Sequence, residues 1–447
     1  MQKPTDPILM PDCPHIFALD PEALGEHISQ LGMPRYRARQ VLRWVYKRHI
    51  ADPAAMTDLP KADREVLGQS LLFQAGRVVG HQRATDGVQK LLLDWTLPMP
   101  IGTDAVNGVP SEQATSPAEG GTTLTVLTRK GAAPGGGANQ TECVIIPSER
   151  TDPPNGKPRG GQSGRREAVA DSRGKVSGHS GVGGRRTACI SSQVGCPVGC
   201  GFCASGLGGL DGNLTAGQIV EQVWQLGALE GVGRISHVVF MGMGEPLANF
   251  DAVTEAIDIL RADWGPGISG RRITVSTVGL PQQMRRLADL QLPVTLALSL
   301  HAPNDELRRE LIPWAAYADI DALLEAGRYY FDRTGREITL EYILLRDVND
   351  RREHAHQLAR IASTLRANIN LIRYNEVRDL PYSRPATEDV HRFQQTLQAA
   401  GINTHIRASR GRDIAAACGQ LRHEHAGANS GQGTDYASAG VQANGQR

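Results

Sequence analysis

The sequence contains no segment that would take the chain into or across a membrane. Its 447 residues include no run of about 18 or more apolar residues, the length that a membrane-spanning helix needs. The first residues, MQKPTDPILMPDCPHIF, lack the continuous apolar core of a signal peptide. We therefore expect a cytoplasmic protein.

Aromatic residues and an excess of charge of one sign are also lacking. Phe, Trp and Tyr make up 5% of the chain, and 48 Lys and Arg residues stand against 47 Asp and Glu residues. The formal net charge of +1 excludes a polycationic nucleic-acid coat, so a nucleic-acid site needs local clusters of charge. The 40% of hydrophobic residues suffice for a sizeable core, which excludes wholesale disorder and allows two or three domains.

Cysteine is scarce, with an odd number of seven residues. In a reducing compartment this argues against a disulfide framework and favours metal-binding or catalytic thiols. Three of the seven stand together in Cys196-Pro-Val-Gly-Cys200-Gly-Phe-Cys203, and no second knuckle exists that would complete a structural zinc site. Three thiolates on one loop suit an iron–sulfur cluster with one iron left open. A zinc site and plain structural cysteines are the alternatives.

Residues 20–80 are predicted to form a helical N-terminal region that binds RNA. Helices are expected at 21–31 and 36–48, where apolar residues recur at helical spacing. The second helix carries basic residues opposite its apolar side, either as a solvated face or as an RNA contact: Arg37, Arg39, Arg43, Lys47 and Arg48. Residues 86–147 are predicted to hold connecting strands in the runs KLLLDW, TLTVLT and ECVIIP.

Residues 148–187 are rich in Gly, Ser and Arg and have no periodicity, so we expect a disordered basic insert. Between Arg150 and Arg186 the chain has 9 Lys and Arg against 3 Asp and Glu residues, a charge of 9 − 3 = +6. The insert is either passive or an electrostatic arm that grips phosphates. The tail at 423–447 is rich in Gly, Ala, Ser and Gln, and we expect it to be disordered too.

Residues 188–422 alternate between strand and helix patterns, which predicts an α/β fold with a parallel sheet. Helices are expected after a capping box at Thr215–Gln218 and at 251–262, 281–290, 320–331, 352–365 and 387–400. Six such units are too few for a closed eight-stranded barrel, so we predict a partial (βα)6 barrel with its active site at the C-terminal ends of the strands. The six strands are predicted at 188–193, 237–242, 272–278, 294–300, 337–344 and 369–374.

Motifs in this region resemble those of a known family, and they occur in the family's order. The C-x3-C-x2-C loop after the first strand is similar to the cysteine motif of the radical S-adenosylmethionine (SAM) superfamily. Together with the flanking segments it resembles the dual-specificity ribosomal/transfer RNA adenine carbon-2 methyltransferases, over about residues 20–100, 139–147 and 187–422. The segments are CISSQVGCPVGCGFCASGLGG, FMGMGEPLANF, RRITVSTVGL, LALSLHAPNDELR, INLIRYNEV and SRGRDIAAACGQL.

The resemblance implies a 4Fe–4S cluster on Cys196, Cys200 and Cys203 whose fourth iron chelates SAM. Read on their own, the GMGEP segment is a glycine-permitted turn and the polar residues that end strands are caps of the following helices. At the C-terminal rim of a barrel a functional role is favoured. The residues that the resemblance makes SAM contacts are Gly244, Glu245, Ser276, Ser299, Leu300, His301 and Asn375.

The resemblance further implies two SAM molecules per turnover, of which the first methylates Cys418. The radical from the second converts that methyl group to a methylene radical, which adds to carbon 2 of adenine. Glu142 would accept a proton, and Cys189 would release the product through a transient disulfide with Cys418. Without the resemblance, both cysteines would be interpreted as buried inert thiols and Glu142 as a solvated strand residue.

The implied substrates are an adenosine of the peptidyl transferase centre in 23S rRNA and the adenosine 3′ of the anticodon in tRNA. An electron donor such as flavodoxin is the expected further partner, and a monomer is expected. The sister activity at adenine carbon 8 uses the same machinery, and a zinc-dependent module that only binds RNA is the alternative from another class. The insert separates Glu142 from Cys189 and so departs from the family pattern, but its ends can still meet because loop closure costs rise slowly with length.

Deleting residues 150–184 tests whether the insert grips RNA. We expect the shortened chain to fold and to bind RNA more weakly, with a shallower dependence of log K on log salt, because fewer counterions are released from the RNA. Filter binding at several salt concentrations measures this slope. A slope equal to that of the full chain would show that the insert is passive.

Overall fold

A computed structural model describes residues 13–95, 139–148, 184–378 and 380–421. Within these ranges the helices are α1 Pro21–Gln30, α2 Arg37–Lys47, α3 Lys61–Ser70, α4 Ala216–Ala228, α5 Phe250–Arg261, α6 Pro281–Asp289, α7 Asp305–Leu311, α8 Ile320–Thr334, α9 Arg352–Ser363 and α10 Thr387–Ala399. The strands are β1 Gly76–Arg83, β2 Gln89–Trp95, β3 Gln140–Pro147, β4 Arg186–Cys189, β5 Gln193–Gly195, β6 Leu210–Asn213, β7 His237–Phe240, β8 Ile273–Thr277, β9 Thr295–Ser299, β10 Ile338–Leu344, β11 Ala367–Arg373 and β12 Thr404–Arg407.

Ten of the strands form one sheet in the order β1-β2-β3-β4-β7-β8-β9-β10-β11-β12. From β4 to β12 all neighbours are parallel, whereas β1, β2 and β3 add an antiparallel extension. The six predicted parallel strands are confirmed, although the first begins at Arg186 instead of residue 188. The seventh, β12, was not predicted, because its four residues THIR carry no apolar run.

The sheet curls, since strands near its two ends line a common cavity. Thr187 and Cys189 of β4 and Ile146 of β3 stand on the same cavity wall as Arg407 of β12. A side-chain contact of 3.3 Å also joins Arg407 Nη1 to Met241 Sδ, directly after β7. The predicted partial barrel is therefore an open, curled sheet whose C-terminal strand ends face one another.

The helices that follow the strands pack on the outer face of the sheet. The predicted capping box begins α4: the Thr215 hydroxyl accepts from the Gln218 N–H, and the Gln218 side chain accepts from the Thr215 N–H. Helices α5, α6, α8, α9 and α10 confirm the other predicted helical segments. Among the described helices, none is long and apolar enough to cross a membrane.

The N-terminal residues form the two predicted helices, α1 and α2, and a third, α3, that was not predicted. The apolar side of α2 is buried as expected, with Val41, Leu42 and Val45 at 0–1% exposure. Part of its basic face serves internal contacts, because Lys47 Nζ donates to the Gly265 carbonyl at 2.7 Å and the Arg48 guanidinium stacks on the Trp44 ring.

Three predictions fall partly or wholly outside the described residues. The strand TLTVLT, most of the basic insert and the tail at 423–447 belong there. The two ends of the insert are described, and they meet: the Ser148 N–H donates to the Arg185 carbonyl at 2.7 Å.

Glu221 on α4 joins the N-terminal helices to the barrel. Its carboxylate is fully buried and accepts the N–H groups of Ala75 and Gly76, each at 3.0 Å, in the chain that enters β1. Gln225 donates to the same carboxylate at 3.2 Å. Because a buried amide without an acceptor is costly, this single carboxylate fixes where β1 begins against α4.

Substituting Glu221→Ala is expected to lower the free energy of unfolding by about 3 kcal/mol, because two buried N–H groups lose their acceptor. The matched control Glu65→Ala removes an exposed carboxylate 3.8 Å from Lys61, and we expect a loss below about 0.5 kcal/mol. Thermal unfolding followed by circular dichroism compares the two variants. Equal losses would show that Glu221 does not hold the junction.

Candidate active site

Most of the predicted site residues line one cavity at the C-terminal ends of the parallel strands, here called the inner cavity. Its walls come from the loop after β5, from the ends of β7 to β10 and from the chain beyond β12. The predicted residues on these walls are Cys196, Cys200, Cys203, Gly244, Glu245, Ser276, Ser299, His301 and Cys418. Residues scattered over more than 200 positions of sequence thus share one site, as a barrel rim requires.

The cysteine loop is held by close backbone packing. Gly195 precedes it with φ +76°, and a Cβ there would lie 2.0 Å from the Gly209 carbonyl oxygen. The Cys196 N–H donates to that same carbonyl at 2.9 Å, and the Cys203 N–H donates to Cys200 O at 3.1 Å. Only glycine at position 195 lets the loop close in this way.

The three thiols need a cation to ionise. Burial raises the pKa of Cys196 to about 12, and it raises the pKa of Cys200 and of Cys203 as well. In the described part of the chain, no three His, Cys, Asp or Glu side chains converge on a point that suits a single metal ion. A cluster in which each thiolate binds a different iron does not require such convergence, so the donor set fits a 4Fe–4S cluster better than zinc.

Gly244 and Glu245 form a rigid turn beside the cysteines. Gly244 has φ +103°, and a Cβ there would lie 2.7 Å from Ser192 Oγ and from Gln193 Cβ. The Glu245 carboxylate accepts the N–H groups of Leu247 at 3.0 Å and Val278 at 2.8 Å. Burial raises the pKa of this carboxyl to about 7, so a bound ammonium group would favour its ionised form.

The opposite wall presents neutral hydrogen-bonding groups. The hydroxyls of Ser276 and Ser299 lie 3.3 Å apart. His301 has φ +58°, and its Nδ1 accepts the Ile343 N–H at 3.1 Å. Burial and then the nearby Arg308 lower the pKa of His301 to about 3, so the imidazole is neutral and carries its proton on Nε2, where it can donate.

A second cavity adjoins the first and is called the outer cavity. Basic groups and Cys189 line it, together with the chain at 408–410 beyond β12. The two cavities share four residues, which form the boundary between them: Met241, Ile372, Arg407 and Cys418. Cys418 therefore faces the cysteine loop on one side and the Cys189 side on the other.

Two predicted SAM contacts are placed differently from the rest. Asn375 lies on the outer cavity, where its Nδ2 donates to the Cys418 carbonyl at 3.3 Å. The Leu300 side chain is fully buried in the core, and its carbonyl accepts from Arg308 Nε at 3.3 Å. Leu300 ends one predicted strand and Asn375 follows another, but the strand pattern does not fix which side of the strand end a residue faces.

Arg407 lies close to both Cys418 and Cys189, and it lines both cavities. The adjacent Cys418 raises the pKa of Arg407, and the Glu341 carboxylate, 3.5 Å away and almost fully buried, acts in the same direction. Burial, and then the neighbouring Cys418, raise the pKa of Cys189 to about 12, while Arg407 opposes this rise. All seven cysteines are free thiols, so the disulfide expected from the sequence is absent from this structure.

Glu142 lies on β3, next to the strand that carries Cys189. The antiparallel register pairs Val144 with Cys189 and so brings the two predicted residues to neighbouring strands despite the insert. The Glu142 side chain is 10% exposed, and its carboxylate forms a 2.6 Å ion pair with Lys90 of β2. It is not among the residues that line the inner or the outer cavity.

Three residues at or next to the site are not predicted from the sequence: Glu341, Lys90 and Arg407. Glu341 is a carboxylate within the apolar run EITLEYIL, and Lys90 is an ammonium group beside the apolar run LLLDW. A charge in an otherwise buried strand is a signal that could have been read, since buried charges need partners. Arg407 gave no such signal because its strand was not predicted.

Comparison with known proteins supports the motif reading. Residues 190–359 match the radical SAM superfamily, and residues 15–72 match the ribosomal RNA large subunit methyltransferase N-terminal domain. The chain is 37% identical over 410 residues to a probable dual-specificity RNA methyltransferase RlmN of Rhodopirellula baltica, covering 91% of this chain and 90% of the relative. It is 50% identical over 238 residues to the protein of the same name in Thermosynechococcus vestitus, covering 53% of this chain and 70% of the relative.

A solved structure agrees over a similar length. The crystal structure of a radical SAM methyltransferase from Sphaerobacter thermophilus superposes with a TM-score of 0.73 at 35% identity, covering 92% of this chain and all of that one. The overall similarity therefore includes the N-terminal helices as well as the barrel.

Replacing Cys200 by Ala is expected to abolish the cluster, because a three-thiolate site has no spare ligand on its loop. The variant should lose the brown absorbance near about 400 nm and retain no SAM cleavage above background. Cys13→Ala, outside both cavities, is the matched control and should keep both. Full SAM cleavage by the Cys200→Ala protein would refute the assignment.

Proposed function

Because the chain belongs to the RlmN family of dual-specificity RNA methyltransferases, we propose that it methylates carbon 2 of an adenosine in 23S rRNA and in tRNA, through a methyl group carried on Cys418. The observation that carries this proposal is the place of Cys418, on the boundary between the inner and outer cavities. A carrier must face its methyl source and its acceptor, and no other cysteine lines both of these cavities.

The inner cavity suits the cofactors. Cys196, Cys200 and Cys203 would hold the cluster, and the residues of the same cavity proposed to hold SAM are Gly244, Glu245, Ser276, Ser299 and His301. Leu300, whose side chain lies in the core, would contribute only through its backbone. When bound, the reduced cluster supplies the electron that cleaves SAM to a 5′-deoxyadenosyl radical. The protein supplies a fixed carboxylate at Glu245 and the neutral hydrogen-bonding groups of Ser276, Ser299 and His301.

The outer cavity suits an RNA base. Arg185, Arg407 and Arg410 line it with hydroxyl groups of Ser148 and Ser409, a set that fits phosphate and base edges. Asn375 also lines this cavity and holds the Cys418 carbonyl, so we assign it to positioning the carrier. Adenine carbon 2 is an electron-poor aryl carbon that does not attack SAM directly, whereas a carbon radical on the carrier can add to it.

Product release is assigned to Cys189 and Glu142. Addition of the carbon radical leaves a base radical, so the adduct would lose one electron, which the oxidised cluster could take back, together with its carbon-2 proton. A thiolate of Cys189 would then attack the Cys418 sulfur and break its bond to the transferred carbon, which takes one proton from solvent to become the methyl group. The two sulfurs are left as a disulfide that an external reductant reopens. Arg407, close to both cysteines, opposes the rise that burial causes in the pKa of Cys189. Glu142 is the proposed proton acceptor, on the strand beside Cys189.

The remaining parts of the proposal concern partners and organisation. We propose two SAM molecules per turnover, an electron donor such as flavodoxin, a monomer and a cytoplasmic setting. The proposed domains are a helical RNA-binding region at 20–80, connecting strands at 86–147, the insert at 148–187, the barrel at 188–422 and a tail at 423–447.

The variants Cys418→Ala and Cys189→Ala are expected to fail in different ways. Without Cys418 no methyl carrier exists, so no covalent protein–RNA adduct can form. Without Cys189 the carrier still reacts, and the RNA stays attached through Cys418 because the resolving thiol is missing. Denaturing gel electrophoresis should then show a shifted protein band that nuclease digestion removes.

The control Cys13→Ala should turn over like the unmodified enzyme and show no such band. Normal turnover by Cys189→Ala with no adduct would contradict the two-cysteine route. A methyl group at adenine carbon 8 would contradict the proposed regiochemistry while leaving the carrier role intact.

A further inference from the structure

The chain beyond β12, residues 408–421, carries Cys418 and is here called the segment. It is attached to the hairpin formed by β1 and β2. The Thr85 N–H donates to Asp413 Oδ2, and the Gly411 N–H donates to Asp86 Oδ2, both at 2.9 Å. The turn of the hairpin and the segment therefore each provide one carboxylate that accepts a backbone N–H of the other. These two hydrogen bonds fix the direction in which the segment runs after β12.

A third attachment lies deeper and differs in kind. Lys90 of β2 has a side chain that is 10% exposed, and its Nζ reaches the Ala415 carbonyl at 3.4 Å. The same Nζ lies 2.6 Å from Glu142 Oε1, and the Glu142 side chain is also 10% exposed. One ammonium group thus contacts both the proposed proton acceptor and the segment that bears the proposed carrier.

The contacts of Lys90 with Glu142 and Ala415 lie next to apolar side chains. Ala84 and Val88 of the hairpin, Val144 beside Glu142, and Ala416 and Leu421 of the segment share one buried apolar cluster with Cys189. Water is scarce there, so a carboxylate needs a positive partner to stay charged, and the partner fixes its direction. Ala415 has φ +50°, in the left-handed region that favours glycine, so its backbone is constrained at the residue whose carbonyl Lys90 contacts.

We infer that Lys90 is a positioning residue that fixes the Glu142 carboxylate relative to the Cys418 segment. The inference rests on the proposed function, because it takes Glu142 as the proton acceptor and Cys418 as the carrier. Lys90 itself makes and breaks no bond. Its effect is to keep the two groups at one distance while the segment is held by its other contacts, among them Ala204 N–H to Gly419 O at 2.8 Å.

A purely structural ion pair is the competing explanation, and a double-mutant cycle separates the two. The variants are Lys90→Met, Glu142→Gln, the two together, and the conservative Lys90→Arg. The control Arg77→Met removes an exposed ion pair with Asp94 from the same hairpin and touches neither Glu142 nor the segment. All are assayed as cluster-loaded enzyme, with separate measurement of Cys418 methylation and of adenosine methylation.

If Lys90 acts through Glu142, Lys90→Met slows adenosine methylation by about tenfold or more, the scale expected when a reacting group is misplaced by about 1 Å. Cys418 methylation stays within about twofold, since it does not use Glu142. Lys90→Met adds no further loss in the Glu142→Gln background. Lys90→Arg recovers most of the rate, and Arg77→Met matches the unmodified enzyme.

Two results would overturn the inference. One is a double variant whose loss in the rate of adenosine methylation is the product of the two single-variant losses. The other is an unchanged rate for Lys90→Met. Should Lys90→Met not fold, the comparison of Glu142→Gln with the double variant decides alone: equal rates support the inference, and a further loss overturns it. Failure of the unmodified enzyme to methylate adenosine would instead refute the proposed function, so the two failures are distinguishable.

Discussion

The active site depends on the curl of the sheet, which brings β12 opposite β4 and β7. Without this curl, Arg407 could not contact Met241 and also share a cavity wall with Cys189. The chain beyond β12 then crosses the open side, from its contacts with the β1–β2 hairpin to those with the cysteine loop. Cys418 is placed between the cavities by this crossing and by no local sequence feature.

Two buried ion pairs fix the positions of side chains that the curl of the sheet brings together. The Lys90–Glu142 and Arg407–Glu341 pairs each place a cation and a carboxylate in surroundings with little water. Such pairs contribute little net stability, because desolvation offsets most of their attraction. These pairs instead fix positions: the first holds the Glu142 carboxylate close to the Ala415 carbonyl, and the second holds the Arg407 guanidinium close to Cys418. The thiols of the cysteine loop differ from these pairs. Burial raises the pKa of Cys196 to about 12, so a bound cation is needed to ionise the thiol.

The sequence predicted most of the barrel because alternating strand and helix patterns are local. The six strands and the capping box at Thr215 were read from runs of a few residues and are confirmed. β12 was missed for the same reason, since it is short and lacks an apolar run. Arg407 lies on β12 and was therefore missed as well. Its contacts form only when strands that are distant in the sequence come together.

For the site, the motif resemblance identified the residues but not the wall that each one occupies. Asn375 faces the outer cavity instead of the inner one, and the Leu300 side chain is in the core. The bridge from Lys90 to Glu142 and Ala415 joins three segments far apart in the chain. No spacing rule encodes such a contact, because it depends on how the hairpin packs against the crossing segment.

In the proposed mechanism the methyl group passes through Cys418 as a carbon radical. The most direct test supplies SAM with a fully deuterated methyl group, CD3, and measures the mass of the modified adenosine released from 23S rRNA. Because one deuterium of the carried methyl group is abstracted before addition, we expect 2-methyladenosine that keeps two of the three deuteriums. A product that keeps all three would show direct transfer from SAM and would contradict the proposed mechanism.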